Sequence, residues 1–119
     1  MKRSYLLYLC DIKESIEKIQ RYVANMSYHE FISSEVVVDA VVRNLEVIGE
    51  AGSNIPDEVQ KAHPDVPWKK MRSMRNILSH RYFGIDFEII WKTINESLPG
   101  LLKDIRTAIA ESEAEKDSE

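Results

Sequence analysis

An arginine, a histidine and a tyrosine stand close together in Arg75-Asn76-Ile77-Leu78-Ser79-His80-Arg81-Tyr82, and the surrounding window is basic. Lys69, Lys70, Arg72, Arg75 and Arg81 lie between Asp65 and Asp86 with no acid among them, in a chain whose net charge is -4. A local basic patch on an acidic protein marks an anionic ligand. The residue types suit phosphodiester chemistry on RNA. Metal-free cleavage needs a base for the 2′-hydroxyl proton, an acid for the leaving 5′-oxygen and a cation for the charge that grows on phosphorus. His80 titrates near neutrality and fits the acid or the base. Arg75 never loses its charge and carries a fork of donors, so it fits the phosphate clamp. Tyr82 is placed to donate to a phosphate oxygen or to stack on a base, Asn76 and Ser79 to bond phosphate or position His80, and Lys69, Lys70 and Arg72 to follow the RNA backbone.

Spacing constrains how these groups meet. Five residues of ideal helix turn the chain by about 500°, which leaves Arg75 and His80 roughly 140° apart. Either the helix ends or bends near Ser79, or the side chains meet across a symmetric dimer. Glu46 and Glu50 are one helical turn apart and share a face. They look like half a metal site, but no HExxH or DxD cluster accompanies them. Orienting Arg43 or Arg75 is the simpler duty, so no metal and no cofactor is expected. A glycine-rich phosphate loop and a serine-centred elbow are both missing, which removes nucleotide-loop and serine-hydrolase readings.

The elements that must hold these residues read as helices. With 119 residues, 44% hydrophobic and 30% charged, the chain suits one domain. Tyr5, Tyr8, Leu9, Ile12, Ile16, Ile19 and Val23 draw one apolar stripe along a first helix. Ser27-Tyr28-His29-Glu30 is a capping box that opens a short second helix. From Ser34 to Asn54 the apolar residues cover more than one stripe, so the third helix should be central. A short helical piece follows from Pro56 to Ala62, then a loop through His63-Pro64-Asp65-Val66-Pro67. Pro67 and Trp68 open the motif helix and Gly84 ends it. Asp86 caps a last helix whose rhythm passes through Pro99, which predicts a kink and not a break. Trp68 and Trp91 read as core.

No strand pattern or linker is present, and the expected fold is an all-α up-and-down bundle of about five helices. The domain should span residues 1–110, leaving 111–119, with five acids and one lysine, as a frayed tail. Cys10 is the only cysteine, which excludes an internal disulfide or CxxC site. After Lys2-Arg3 the apolar run from Tyr5 to Cys10 is cut off by Asp11, Lys13 and Glu14, too short for a membrane segment, so a cytoplasmic protein is expected.

Arg, four residues, His, one residue, Tyr is the signature of the HEPN superfamily, and the chain resembles its HepT-like toxins. The resemblance continues through Asp39-Ala40-Val41-Val42-Arg43-Asn44-Leu45-Glu46-Val47-Ile48-Gly49-Glu50-Ala51, Pro67-Trp68, Met74-Arg75-Asn76, Phe83-Gly84-Ile85-Asp86, Trp91 and Leu98-Pro99. Ser73 stands where many members carry glycine. The resemblance implies a homodimer whose motif helices line a shared cleft. It further implies an endoribonuclease toxin of a type VII pair, neutralised by a minimal nucleotidyltransferase antitoxin that transfers AMP to the motif tyrosine, here Tyr82. The alternative is a non-catalytic HEPN module that binds nucleotide or RNA, or a partner subunit of a nucleotidyltransferase.

Overall fold

The computed structural model describes residues 4–76 and 86–117. Among them the chain is helical and has no strand: α1 (Tyr5–Tyr22), α2 (Tyr28–Ser33), α3 (Glu35–Ser53), α4 (Asp57–Ala62), α5 (Trp68–Ser73), α6 (Phe87–Lys92) and α7 (Leu98–Asp117). The apolar stripe of α1 buries Leu9, Ile12, Ile16 and Ile19 against α3 and α7. Each such side chain contributes about 1.5–3 kcal/mol by leaving water. Helix α3 is central, as its broad apolar cover requires, and packs on α1, α2 and α5.

Local chemistry sets the boundaries. Asn25 takes the left-handed turn after α1 at φ 63°, a conformation asparagine tolerates better than most residues. The capping box at α2 is closed on both sides: the Ser27 N–H donates to Glu30 Oε1 at 2.9 Å, and the Glu30 N–H donates to Ser27 Oγ at 3.1 Å. Those bonds hold the Glu30 carboxyl below its usual range, the backbone bond most, with the Ser27 side chain next. Ser34 ends α2 and caps α3, accepting from the Val37 N–H at 3.3 Å. Trp91 of α6 stacks on Phe31 at 5.1 Å and meets Tyr28 edge-on at 6.1 Å, fastening α2 to α6.

Two features differ from the sequence expectation. Helix α5 stops at Ser73, inside the single motif helix expected from Pro67 to Gly84; the bend considered near Ser79 lies outside the described residues. Met74 and Arg75 form a tightened turn, their N–H groups donating to Met71 O at 3.1 Å and Arg72 O at 3.4 Å. Ser73 Oγ donates to Lys70 O at 2.6 Å and competes for a carbonyl of the final turn. The acidic end of α7 is helical through Asp117 and not frayed from Glu111. Ser112 is buried there, and Glu111 pairs with His63 Nδ1 at 3.1 Å, so the segment gains contacts that its polarity did not announce.

The kink expected at Pro99 takes a definite form. One π-helical turn, Thr93–Ser97, separates α6 from α7, and the Leu98 N–H donates five residues back to Thr93 O. Proline has no N–H to give the carbonyl four residues before it, and the widened turn relieves the ring of that neighbour. Ile90, Ile94 and Leu98 are all buried. Eight residues of ideal helix would carry Leu98 about 80° off the face of Ile90; the wider turn restores it.

Candidate functional site

The site is built where α5 ends against α3. Two glycines of α3, Gly49 and Gly52, are buried and face that end. A methyl group on Gly49 would stand 2.4 Å from Arg75 Cγ and 2.8 Å from the Arg75 backbone nitrogen. On Gly52 it would stand 2.8 Å from Met71 Sδ. A glycine inside a helix costs about 1 kcal/mol against alanine, and here the missing side chains let α5 and the turn after it lie directly on α3. Sequence reasoning gave these glycines no role. The signal was their placement three apart inside a helix, where glycine is costly without a packing reason.

Arg75 is therefore set by its backbone and its stem. Its tip is held as well: Nη1 lies 3.3 Å from Glu50 Oε1, with the two side chains 46% and 60% exposed. Glu46, one turn earlier, pairs with Arg43 at 3.3 Å on the same helix. Glu46 thus contacts Arg43 and Glu50 contacts Arg75. A cleft of about 250 Å³ runs beside them between α1 and α3, lined by Tyr8, Asp11, Arg43, Glu46, Glu50 and Asn54 among others.

Elsewhere in the basic window the cations differ in their surroundings. Lys69 and Lys70 are exposed on α5. Arg72 is half-buried and donates to Gln60 Oε1 at 2.9 Å, while Gln60 Nε2 donates to Ile55 O at 2.9 Å. Arg72 is thereby tied to α4. Trp68 is buried and its Nε1 donates to His63 O at 3.0 Å, a core role as expected. Asn76 is exposed just after Arg75. Ser79, His80 and Tyr82, like Arg81 and Gly84, lie outside the described residues. Among the described residues no three His, Cys, Asp or Glu side chains gather to hold a metal ion, and no helix is long and apolar enough to cross a membrane.

The described residues form an all-α bundle, consistent with the HEPN class of fold. The chain belongs to the HepT-like family of that superfamily, whose model, described as "Ribonuclease HepT-like", matches residues 12–108. It is 44% identical over 101 residues to a Thermococcus cleftensis protein named "Probable ribonuclease HepT", covering 85% of this chain and 92% of the relative. A Methanocaldococcus jannaschii protein named "Putative RNase" is 40% identical over 104 residues, 87% of this chain and 95% of its own length. A Caldanaerobacter subterraneus protein also named "Putative RNase" is 40% identical over 99 residues, 83% of this chain and 88% of its own. No solved structure matches the chain.

Proposed function

We propose that this chain is a metal-independent endoribonuclease, the toxin of a type VII pair, acting as a homodimer. The observation that carries the reading is Arg75, half-exposed in the middle of an acid-free basic window and fixed from behind by Gly49 and Glu50, in a family whose relatives are named ribonucleases. A guanidinium prepositioned for phosphate stabilises the developing charge without reorganising during the reaction. In the proposed reaction the 2′-oxygen attacks phosphorus, its proton passes to a base, the bond from phosphorus to the 5′-oxygen breaks, and an acid protonates that oxygen. The product is a 2′,3′-cyclic phosphate. His80 supplies one of the two proton transfers, and Lys69 and Lys70 hold neighbouring phosphates.

Neutralisation follows from the same chemistry. AMP carried on Tyr82, two residues from His80, brings negative charge and bulk to a cleft meant for phosphate and opposes RNA by repulsion and blockage. The partner that installs it is a minimal nucleotidyltransferase.

The test is induced expression of wild type beside Arg75→Ala, His80→Ala and Tyr82→Phe, scored for growth arrest and for cleavage of labelled total RNA. Arrest and cleavage that vanish in the first two variants while fold and dimer persist support the toxin. Neither effect from unmodified wild type overturns it and leaves a phosphate-binding module. Intact mass after coexpression with the transferase should rise by AMP units in wild type; a modified Tyr82→Phe chain overturns the acceptor assignment.

A further inference from the structure

We infer that Glu50 is a positioning residue for RNA cleavage. It holds the Arg75 guanidinium by one nitrogen and leaves the fork's other edge for the scissile phosphate. The inference rests on the ribonuclease reading and adds to it the group that aims the phosphate clamp.

Three observations lead there. The contact between Arg75 and Glu50 is single, Nη1 to Oε1 at 3.3 Å, whereas a carboxylate that saturates an arginine takes two parallel bonds. Among the described residues the guanidinium is engaged through Nη1, and Nε with Nη2 form the edge suited to bidentate phosphate binding. Second, the pair links residues 25 apart in sequence with both side chains substantially exposed, and such pairs add little to stability. A role in folding does not account for it.

Third, Gly49 and Glu50 are consecutive on α3 and divide Arg75 between them. Gly49 receives the backbone nitrogen and Cγ, and Glu50 receives the tip. No other described cation of the window is held by a carboxylate: Arg72 is bound to the neutral amide of Gln60, and Glu46 is engaged with Arg43 on its own helix. The carboxylate therefore lies at the one arginine that the proposed reaction uses. Its charge opposes the incoming phosphate while its bond restricts the guanidinium, so it weakens binding and improves aim.

Those opposed effects give a kinetic signature. Steady-state cleavage of a labelled RNA oligonucleotide is measured for wild type, Glu50→Gln, Glu50→Asp, Arg75→Ala and Glu17→Gln. Glu17 pairs with Arg106 at 3.0 Å between α1 and α7, an exposed ion pair of the same kind away from the site. For Glu50→Gln, kcat is expected to fall about tenfold or more because a misplaced group loses orientation. KM is expected to fall about two- to fivefold because one unit charge leaves a solvated phosphate site. Glu50→Asp recovers part of kcat, and Glu17→Gln matches wild type. A kcat and KM both unchanged in Glu50→Gln, or a kcat loss with raised KM and reduced helicity, overturns the inference. If Arg75→Ala is inactive while Glu50→Gln behaves as wild type, only this inference falls; if Arg75→Ala cleaves normally, the phosphate clamp itself falls with it.

Discussion

Alanine placed at each of three glycines tests the seat beneath Arg75. At Gly100 the new methyl group meets nothing within 4 Å, at Gly52 it meets Met71 Sδ at 2.8 Å, and at Gly49 it meets Arg75 Cγ at 2.4 Å and the Arg75 backbone nitrogen at 2.8 Å. Removing a helical glycine stabilises by about 0.5–1 kcal/mol at every position where alanine fits. Gly100→Ala should keep that gain. In Gly52→Ala the clash falls on a flexible thioether that moves aside at modest cost, so the gain and the cost roughly cancel. In Gly49→Ala a backbone atom must shift, and overpacking of that kind costs about 1–3 kcal/mol. The expected net change is a loss of about 1 kcal/mol, or about 4 °C in Tm. Urea denaturation followed by circular dichroism orders the three variants. Displacing Arg75 by even ~1 Å should also lower RNA cleavage as much as a hundredfold, far beyond what the stability loss explains. A Gly49→Ala protein as stable as Gly100→Ala, with full activity, refutes the close approach and the reasoning built on it.

Lowering the pH should erase the advantage of wild type over Glu30→Gln. The Glu30 carboxyl is held below its ordinary value in the folded state, chiefly by the backbone bond from Ser27. Its contribution is therefore complete above that value and lost as pH falls through the lowered one, which denaturation series at neutral and acid pH can follow. Trp68→Phe keeps most of the buried ring and removes the indole donor to His63 O, which still accepts from the Val66 N–H at 3.2 Å; a loss of about 0.5–1.5 kcal/mol is expected from urea midpoints. A double-mutant cycle on Glu17 and Arg106 should yield a coupling below about 1 kcal/mol that shrinks with added salt, and a larger, salt-insensitive value contradicts the exposure of that pair.

What could be read from the chain was mostly local. Ser27 and Glu30 announce α2 because both halves of the box lie within one turn, and the stripe of α1 is visible because burial repeats with the helix. The shared face of Glu46 and Glu50 was visible in their spacing, but which arginine each one meets was not, since Arg75 arrives from the turn after α5. The end of α5 at Ser73 was not legible, since neither proline nor glycine marks it and the decisive bond is a serine hydroxyl turning back on Lys70. Gly49 gave a hint without a meaning: what it admits comes from another helix, and no periodicity within α3 carries that information. The tail misled for the same reason. Glu111 is an acid in a polar run until His63, from far back in the chain, lies beside it. The other half of the motif, His80 and Tyr82, lies outside the described residues, and its assignment stands on the sequence alone.

The π turn at Thr93–Ser97 makes chain length negotiable at one place in the last helical stretch. It absorbs a surplus residue, so deleting one residue there would let an ordinary α turn form and leave Ile90 and Leu98 about 20° apart in phase. The same deletion inside α7 has no surplus to consume and would swing Leu101, Leu102 and Ile105, all buried, by about 100° relative to Ile90 and Ile94. An insertion or deletion between related chains is thus tolerable at this turn and ruinous a few residues later. The widened turn is a splice, where two helical segments can be lengthened or shortened without re-cutting the core.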